Sequence, residues 1–224
     1  MTSGSGSLEH PTYWWYVARA RLLEAVLGPY VRQGARILDV GSADGPSVAW
    51  LGDRVAVDID PRGLRVGSVC ASAEALPFPD KTFDVVTAFD VVEHCEHERV
   101  ALSEFRRVVK DGGAVLLSVP AYQWLWSGFD VRARHHRRYT RHRLRRAAAA
   151  VGLTEKRSTY AFGATLPFFV LSRLLVKAAA APASVRPLPA IVERVLLALT
   201  RLDERLLRRR NLPAGSSVFY AGTR

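Results

Sequence analysis

A chain of 224 residues, 49% hydrophobic and 24% charged, suits one globular domain with a large elaboration, and excludes both a disordered chain and two full domains. Two cysteines, Cys70 and Cys95, exclude a disulfide scaffold and suit a reducing cytoplasm. The formal charge of +11 rests on 32 basic residues, of which only four are lysines; it fits an anionic partner or simply the arginine bias of a GC-rich genome.

Residues 1–11 have neither a basic start nor an apolar run, which predicts a flexible tail without a secretory signal, ahead of one domain over 12–224. Apolar residues at Trp15, Ala18, Leu22, Val26 and Tyr30 predict a leading helix over 13–31. Short apolar runs then predict strands at 35–40, 54–58, 67–70, 83–89 and 114–119. Between them helices are expected at 46–51, 97–110 and 140–151, the second closed by Asp111-Gly112-Gly113. A sixth strand is expected at 153–160 and a last one at 217–221, separated by a helical insertion over about 163–213. Alternating strands and helices imply a mainly parallel sheet with helices on both faces.

Ile37 to Pro46 reads as a strand, a tight glycine turn and a helix start. Gly41 lets the backbone leave the strand sharply, and Pro46 suits a first helical position. Asp58 ends the next strand, where a carboxylate can accept both hydroxyls of a ribose. The turn lacks the central glycine of G-x-G-x-x-G, and Asp44 stands where a pyrophosphate would lie. A nucleoside with a cationic tail fits this acidic loop better than a dinucleotide does.

The segments ILDVGSADG, VAVDIDP, AEALPFPDKTFDVVTAFDVVEH and RVVKDGGAVLLSVP together resemble the class I S-adenosylmethionine-dependent methyltransferases over roughly residues 35–120. The resemblance implies an α/β, Rossmann-like seven-stranded sheet whose last strand is antiparallel. It also implies that Asp39, Gly41, Ser42, Ala43 and Gly45 cradle the methionine part of S-adenosylmethionine, and that Asp58 holds the ribose with Ile59 beside it. Ser72, Ala73 and Glu74 are then expected at the adenine, and Asp90 near the methionine end. Two departures stand out, since relatives commonly carry glycine at Ala43 and aspartate at Ser72. Arg19, on a leading helix similar to the one that caps the cofactor in relatives, is the candidate for the methionine carboxylate or the acceptor, with a surface salt bridge as the other reading.

Methyl transfer from a sulfonium needs two reactants held in line, water excluded and, for a hydroxyl acceptor, a base. His94, in Asp90-Val91-Val92-Glu93-His94, is one candidate base or else an anchor for the loop that follows. The same trio could bind a divalent ion, but with no further ligand in view no metal is assigned. After the fifth expected strand, the pattern VPA-x-x-x-LWS…D…H-x-RRY resembles a bacterial small-molecule methyltransferase subgroup, except that Arg134 stands where glycine is usual, so the local turn is expected to differ. This segment is expected over the acceptor mouth, with His135 as second candidate base. Trp124 and Trp126 would act as walls, or pack in the core, with Asp130, Arg138 and Tyr139 as acceptor-side residues. Eight arginines and three histidines crowd residues 132–146, which raises RNA as an alternative acceptor; nucleic acid is the weaker reading, because part of the cluster belongs to the subgroup's own pattern. In the insertion, Arg173 and Lys177 break the apolar stretch 165–183, arguing against a membrane span. The amphipathic segment 188–210 either packs on the domain or touches a membrane surface. The expectation is a cytoplasmic, conceivably membrane-peripheral, enzyme that uses S-adenosylmethionine and methylates oxygen on a small-molecule or lipid-linked acceptor. RNA methylation and cofactor binding without turnover are the alternatives, and oligomeric state is left open.

Overall fold

Seven strands pair in the order β3-β2-β1-β4-β5-β7-β6 in the computed structural model, which describes residues 12–64, 67–178 and 188–224. They are β1 (Ile37–Val40), β2 (Val55–Asp58), β3 (Val69–Cys70), β4 (Phe83–Phe89), β5 (Val109–Pro120), β6 (Thr154–Ala161) and β7 (Ser217–Thr223). All four residues of β1 are buried, as a central parallel strand covered on both faces requires. It pairs in parallel with β2 and β4, and β4 with β5. The last strand, β7, inserts antiparallel between β5 and β6. The expected Rossmann-like architecture is the one observed.

Helices cover the two faces. On one side α1 (Trp14–Leu27) buries Trp14, Ala18, Leu22 and Val26 against Ile37, Val85, Phe89 and Phe219. On the other, α2 (Glu98–Val108) and α4 (Arg141–Ala150) bury Leu102, Phe105, Leu144 and Ala148 against Leu38, Val86 and Leu117. A five-residue helix, α3 (Gly128–Arg132), lies between β5 and α4.

Two expected boundaries move. The Asp111-Gly112-Gly113 triplet does not close a helix; it lies inside β5, where the pairing steps from Phe83↔Val109 to Val85↔Ala114. Gly112 adopts φ +73°, and a Cβ on Gly113 would come within 2.7 Å of the Asp84 carbonyl oxygen. The glycine pair therefore makes a bulge that keeps the strand in the sheet. The segment expected as a helix at 46–51 is a 3-10 helix over Ser42–Leu51 that starts directly after the left-handed Gly41.

The insertion contains α5 (Leu166–Ala178) and α6 (Ala190–Leu207). The tail 1–11 and residues 179–187, which include the end of the apolar stretch 165–183, lie outside the described residues. Phe168 and Phe169 meet the Trp14 ring from α5. From α6, Leu196, Thr200, Asp203 and Leu207 are buried, and Asp203 accepts from the Ala164 N–H at 3.1 Å through both oxygens. Glu204 accepts from Arg21 of α1 at 2.8 Å. Thus one face of α6 packs on α1, the first of the two readings of this segment. Among the described residues no helix is long and apolar enough to cross a membrane.

Candidate active site

The carboxyl ends of β1 to β4 bring the expected cofactor residues to one edge of the sheet. Gly41 follows β1 at φ +77° and donates its N–H to the Val57 carbonyl of β2 at 2.7 Å. A Cβ at this position would collide with the Val91 side chain, so close approach as well as backbone conformation requires glycine. Asp39 lies inward of this turn. Its carboxylate accepts from Thr87 Oγ1 at 2.6 Å and Arg54 Nε at 3.0 Å, and Ser42 also bonds to it. Burial pushes the Asp39 carboxyl up despite these partners. Asp39 and Ser42 therefore brace the turn from within. Contacts of the Ala43 and Gly45 positions lie outside those described.

Asp58 is half-buried at the end of β2, and its Oδ1 accepts from the Asp60 N–H at 2.8 Å. Ile59 follows with 73% of its surface exposed, an apolar face beside a carboxylate. After β3, the Ser72 hydroxyl accepts from the Glu74 N–H at 3.1 Å, and Glu74 Oε1 accepts from the His97 N–H at 3.0 Å. The Ser72-Ala73-Glu74 loop is thereby tied to the start of α2, and both side chains carry backbone bonds of the fold.

At the end of β4, Asp90 takes φ +58°, a conformation costly for a residue with a Cβ. Its Oδ1 accepts from Ser118 Oγ at 3.0 Å, and Oδ2 lies 3.0 Å from Arg19 Nη2. Arg19 also donates to the Phe89 carbonyl at 3.2 Å and stands 5.6 Å from the Trp15 ring centre. Only 2% of Arg19 is exposed. It is neither a surface salt bridge nor an open guanidinium; it locks α1 onto the end of β4.

Immediately beyond lies a 3-10 turn, Val92–His94. Glu93 is fully buried, and among the described residues neither carboxylate oxygen has a hydrogen-bond partner. Burial, and then the charge of Asp90, push its carboxyl well above the usual range. His94 reaches solvent and stands edge-on to His135, with ring centres 4.5 Å apart at 86°. Partial burial and the adjacent His135 push His94 down to about 4, which keeps it neutral at pH 7. The fold thus joins the two candidate bases, 41 positions apart in the chain.

The remaining acceptor-side residues divide. Trp124 is 59% exposed and stacks on Tyr122, which stacks on Tyr160 at 5.2 Å; Trp126 is half-buried. Asp130, Arg138 and Tyr139 face inward instead. Asp130 is fully buried, bonds Arg138 Nε and Nη2 at 2.7 and 3.1 Å, accepts from the Ser127 N–H at 2.9 Å and lies 2.9 Å from His135 Nδ1. Burial opposes its charge, but the bonds from His135 and Arg138 outweigh this and hold the carboxyl well below the usual range. Tyr139 is in the core and donates its O–H to Glu98 at 2.6 Å. The polar atoms of Asp130 and Arg138 face one another because the segment folds back on itself as a latch, while Tyr139 turns to Glu98. Arg134 takes φ +56°, a left-handed conformation that glycine adopts freely and a residue with a Cβ adopts only at a cost. Ser118 and Tyr160 carried no local signal; each enters the site only through its strand pairing.

Across residues 15–155 the chain matches the family model described as a methyltransferase domain. The chain belongs to that family. It is 34% identical over 122 residues to a ubiquinone/menaquinone biosynthesis C-methyltransferase of Burkholderia mallei, an alignment covering 45% of this chain and 50% of the relative. A Burkholderia multivorans enzyme of the same name is 35% identical over 106 residues, covering 39% and 44%. The chain thus spans about half the length of the curated relatives it matches. Its fold is similar to that of an S-adenosylmethionine-dependent methyltransferase from Archaeoglobus fulgidus (TM-score 0.61, 17% identity, covering 97% of this chain and 98% of that one). It is also similar to a Haemonchus contortus phosphoethanolamine N-methyltransferase in complex with S-adenosylmethionine (TM-score 0.59, 15% identity, covering 100% and 60%). The donor set at this sheet edge fits S-adenosylmethionine: an acidic residue, Asp58, beside the positive-φ Gly41, the exposed Ile59 next to it, and Asp90 at the neighbouring strand end.

Proposed function

We propose that this methyltransferase methylates a hydroxyl oxygen of a small-molecule or lipid-linked acceptor. The observation that carries this reading is the pairing of His94 and His135 just beyond Asp90. Asp58 would accept from the ribose hydroxyls, Ile59 would cover the adenine, the Gly41 turn would receive the methionine part, and Asp90 would face its ammonium. When bound, the cofactor supplies an electrophilic methyl on a sulfonium. His135, whose Nδ1 is held by Asp130, would receive the acceptor's one proton on Nε2, with His94 edge-on beside it, as the acceptor oxygen gains the carbon and the electrons of the broken bond remain on sulfur, so charge balances without a covalent enzyme intermediate. With 13C-methyl-labelled cofactor and a lipid extract as acceptor pool, the expected product shows an O-methyl resonance. A C-methyl product, the outcome named for the Burkholderia relatives, overturns the oxygen assignment.

A lipid-linked acceptor draws support from the outer face of α6. Ile191, Val195 and Leu202 are exposed there, among exposed Arg194, Arg201 and Arg205, the composition of a helix that rests in an anionic interface. Co-sedimentation with phosphatidylglycerol-containing vesicles is expected, and Val195→Glu together with Leu202→Glu should reduce it at least tenfold; unchanged binding removes the membrane reading. Nucleic acid is the weaker partner because four of the eight arginines of the cluster are paired with carboxylates of this chain, one of them buried. Arg138 pairs with Asp130, Arg137 and Arg143 with Glu98, and Arg145 with Glu155.

A further inference from the structure

The geometry points to a divalent-cation site built by Glu93, His94 and His135. One ligand atom from each of these three side chains lies within 4.8 Å of the others. A tetrahedral first-row dication with bonds of about 2.0–2.2 Å holds its ligands roughly 3.4 Å apart, so the cluster is gathered by an inward movement of the solvent-reaching His94.

Independent features of the surroundings support a cation. Glu93 is wholly buried, with both oxygens lacking a hydrogen-bond partner among the described residues, and an unsatisfied interior carboxylate is costly unless a proton or a cation meets it. The nearest arginines do not meet it directly: Arg19 is bound to Asp90, and Arg138 to Asp130. His135 is held through Nδ1 by Asp130 at 2.9 Å, which turns Nε2 into the nitrogen available for coordination. His94 likewise has a ring nitrogen engaged by the Ala133 carbonyl. A carboxylate or carbonyl behind each imidazole is the arrangement that fixes the tautomer of metal-bound histidine. Two imidazoles and one carboxylate select zinc, manganese, iron or cobalt over magnesium and calcium. Three protein ligands with an opening to solvent resemble a catalytic rather than a structural site; with a cation bound, the histidine nitrogens are ligands and no longer the base, and the cation would instead acidify and orient a coordinated acceptor hydroxyl, a role that, unlike the binding itself, rests on the oxygen-methylation reading.

The test uses untagged full-length protein stripped with chelator, then titrated calorimetrically with Zn2+ and Mn2+ and followed optically with Co2+. One equivalent is expected to bind at micromolar or lower concentration, with cobalt absorption bands characteristic of nitrogen ligation. Glu93→Gln and His135→Gln should each weaken binding at least tenfold. S-adenosylmethionine affinity, measured on the same samples, reports whether each variant is folded. Absence of binding by the parent protein, or binding unaltered in both folded variants, overturns the site. Cation binding without O-methyl product sinks the oxygen reading alone, and O-methyl product from protein that binds no cation sinks the site alone.

Discussion

Asp58→Ala is expected to raise the dissociation constant for S-adenosylmethionine about 100-fold or more. A carboxylate that accepts two ribose hydroxyls makes charge-assisted bonds worth about 1.5–3 kcal/mol each, and every 1.4 kcal/mol is about tenfold in affinity. One Asp58 oxygen also accepts from the Asp60 N–H, so alanine disturbs the loop as well as the ligand. Asp58→Asn separates the two effects. Its amide oxygen can keep the Asp60 bond while its amide nitrogen cannot accept from a hydroxyl, and a loss of about tenfold is expected. Calorimetry on both variants, with thermal melting as the control for folding, decides the matter. Unchanged affinity in Asp58→Ala refutes the ribose assignment.

The second large effect is on stability. Asp130→Ala leaves Arg138, only 5% exposed, without its carboxylate, and removes the partners of His135 and of the Ser127 N–H. Breaking a buried charged pair from one side costs about 3–5 kcal/mol, and for a chain of this length about 2–4 °C of melting temperature accompanies each kcal/mol. A fall of about 10 °C is therefore expected. Asp130→Ala combined with Arg138→Met should recover part of it, because the uncompensated interior charge is gone. The pH dependence follows from the sign of the shift. The Asp130 carboxyl is held below its usual range in the folded chain, so its contribution is complete above the unfolded value of about 4 and is lost as pH falls through the folded one. The stability gap between parent and Asp130→Ala should hold constant from about pH 5 to pH 8 and narrow only in stronger acid; a gap that closes near neutrality contradicts the latch.

Much of the frame is legible in single segments. The runs at 37–40, 55–58 and 83–89 read as strands because a buried parallel strand needs apolar side chains on both faces. Gly41 reads as a turn because its backbone conformation and its closeness to Val91 exclude a side chain. The misreadings arise where distant chain decides. Asp111-Gly112-Gly113 has the composition of a helix stop, yet β4 and the carboxyl terminus engage it, with Arg224 bonded to Gly113. Arg19 looks like a ligand arginine until Asp90 and the Phe89 carbonyl, some 70 positions on, surround it. Asp130, Arg138 and Tyr139 look like an acceptor rim because charge and hydroxyl ordinarily face water; here each is satisfied by a partner inside the fold.

The sequence alone determined the class of fold, because periodicity and turn glycines are local consequences of backbone geometry, and it pointed to S-adenosylmethionine through its resemblance to a methyltransferase family. Only the tertiary structure decided which polar groups brace the fold. It drew Arg19 and Asp39 into supporting bonds, set His94 against His135 and left Glu93 buried without a hydrogen-bond partner among the described residues. That assignment depends on pairings across tens of residues, where burial makes an unsatisfied polar atom costly and so dictates the partner. The +11 charge divides in the same way: four of the eight arginines of the 132–146 cluster pair with carboxylates of the chain, Arg138 in the interior, while Arg194, Arg201 and Arg205 of α6 remain on its outer face.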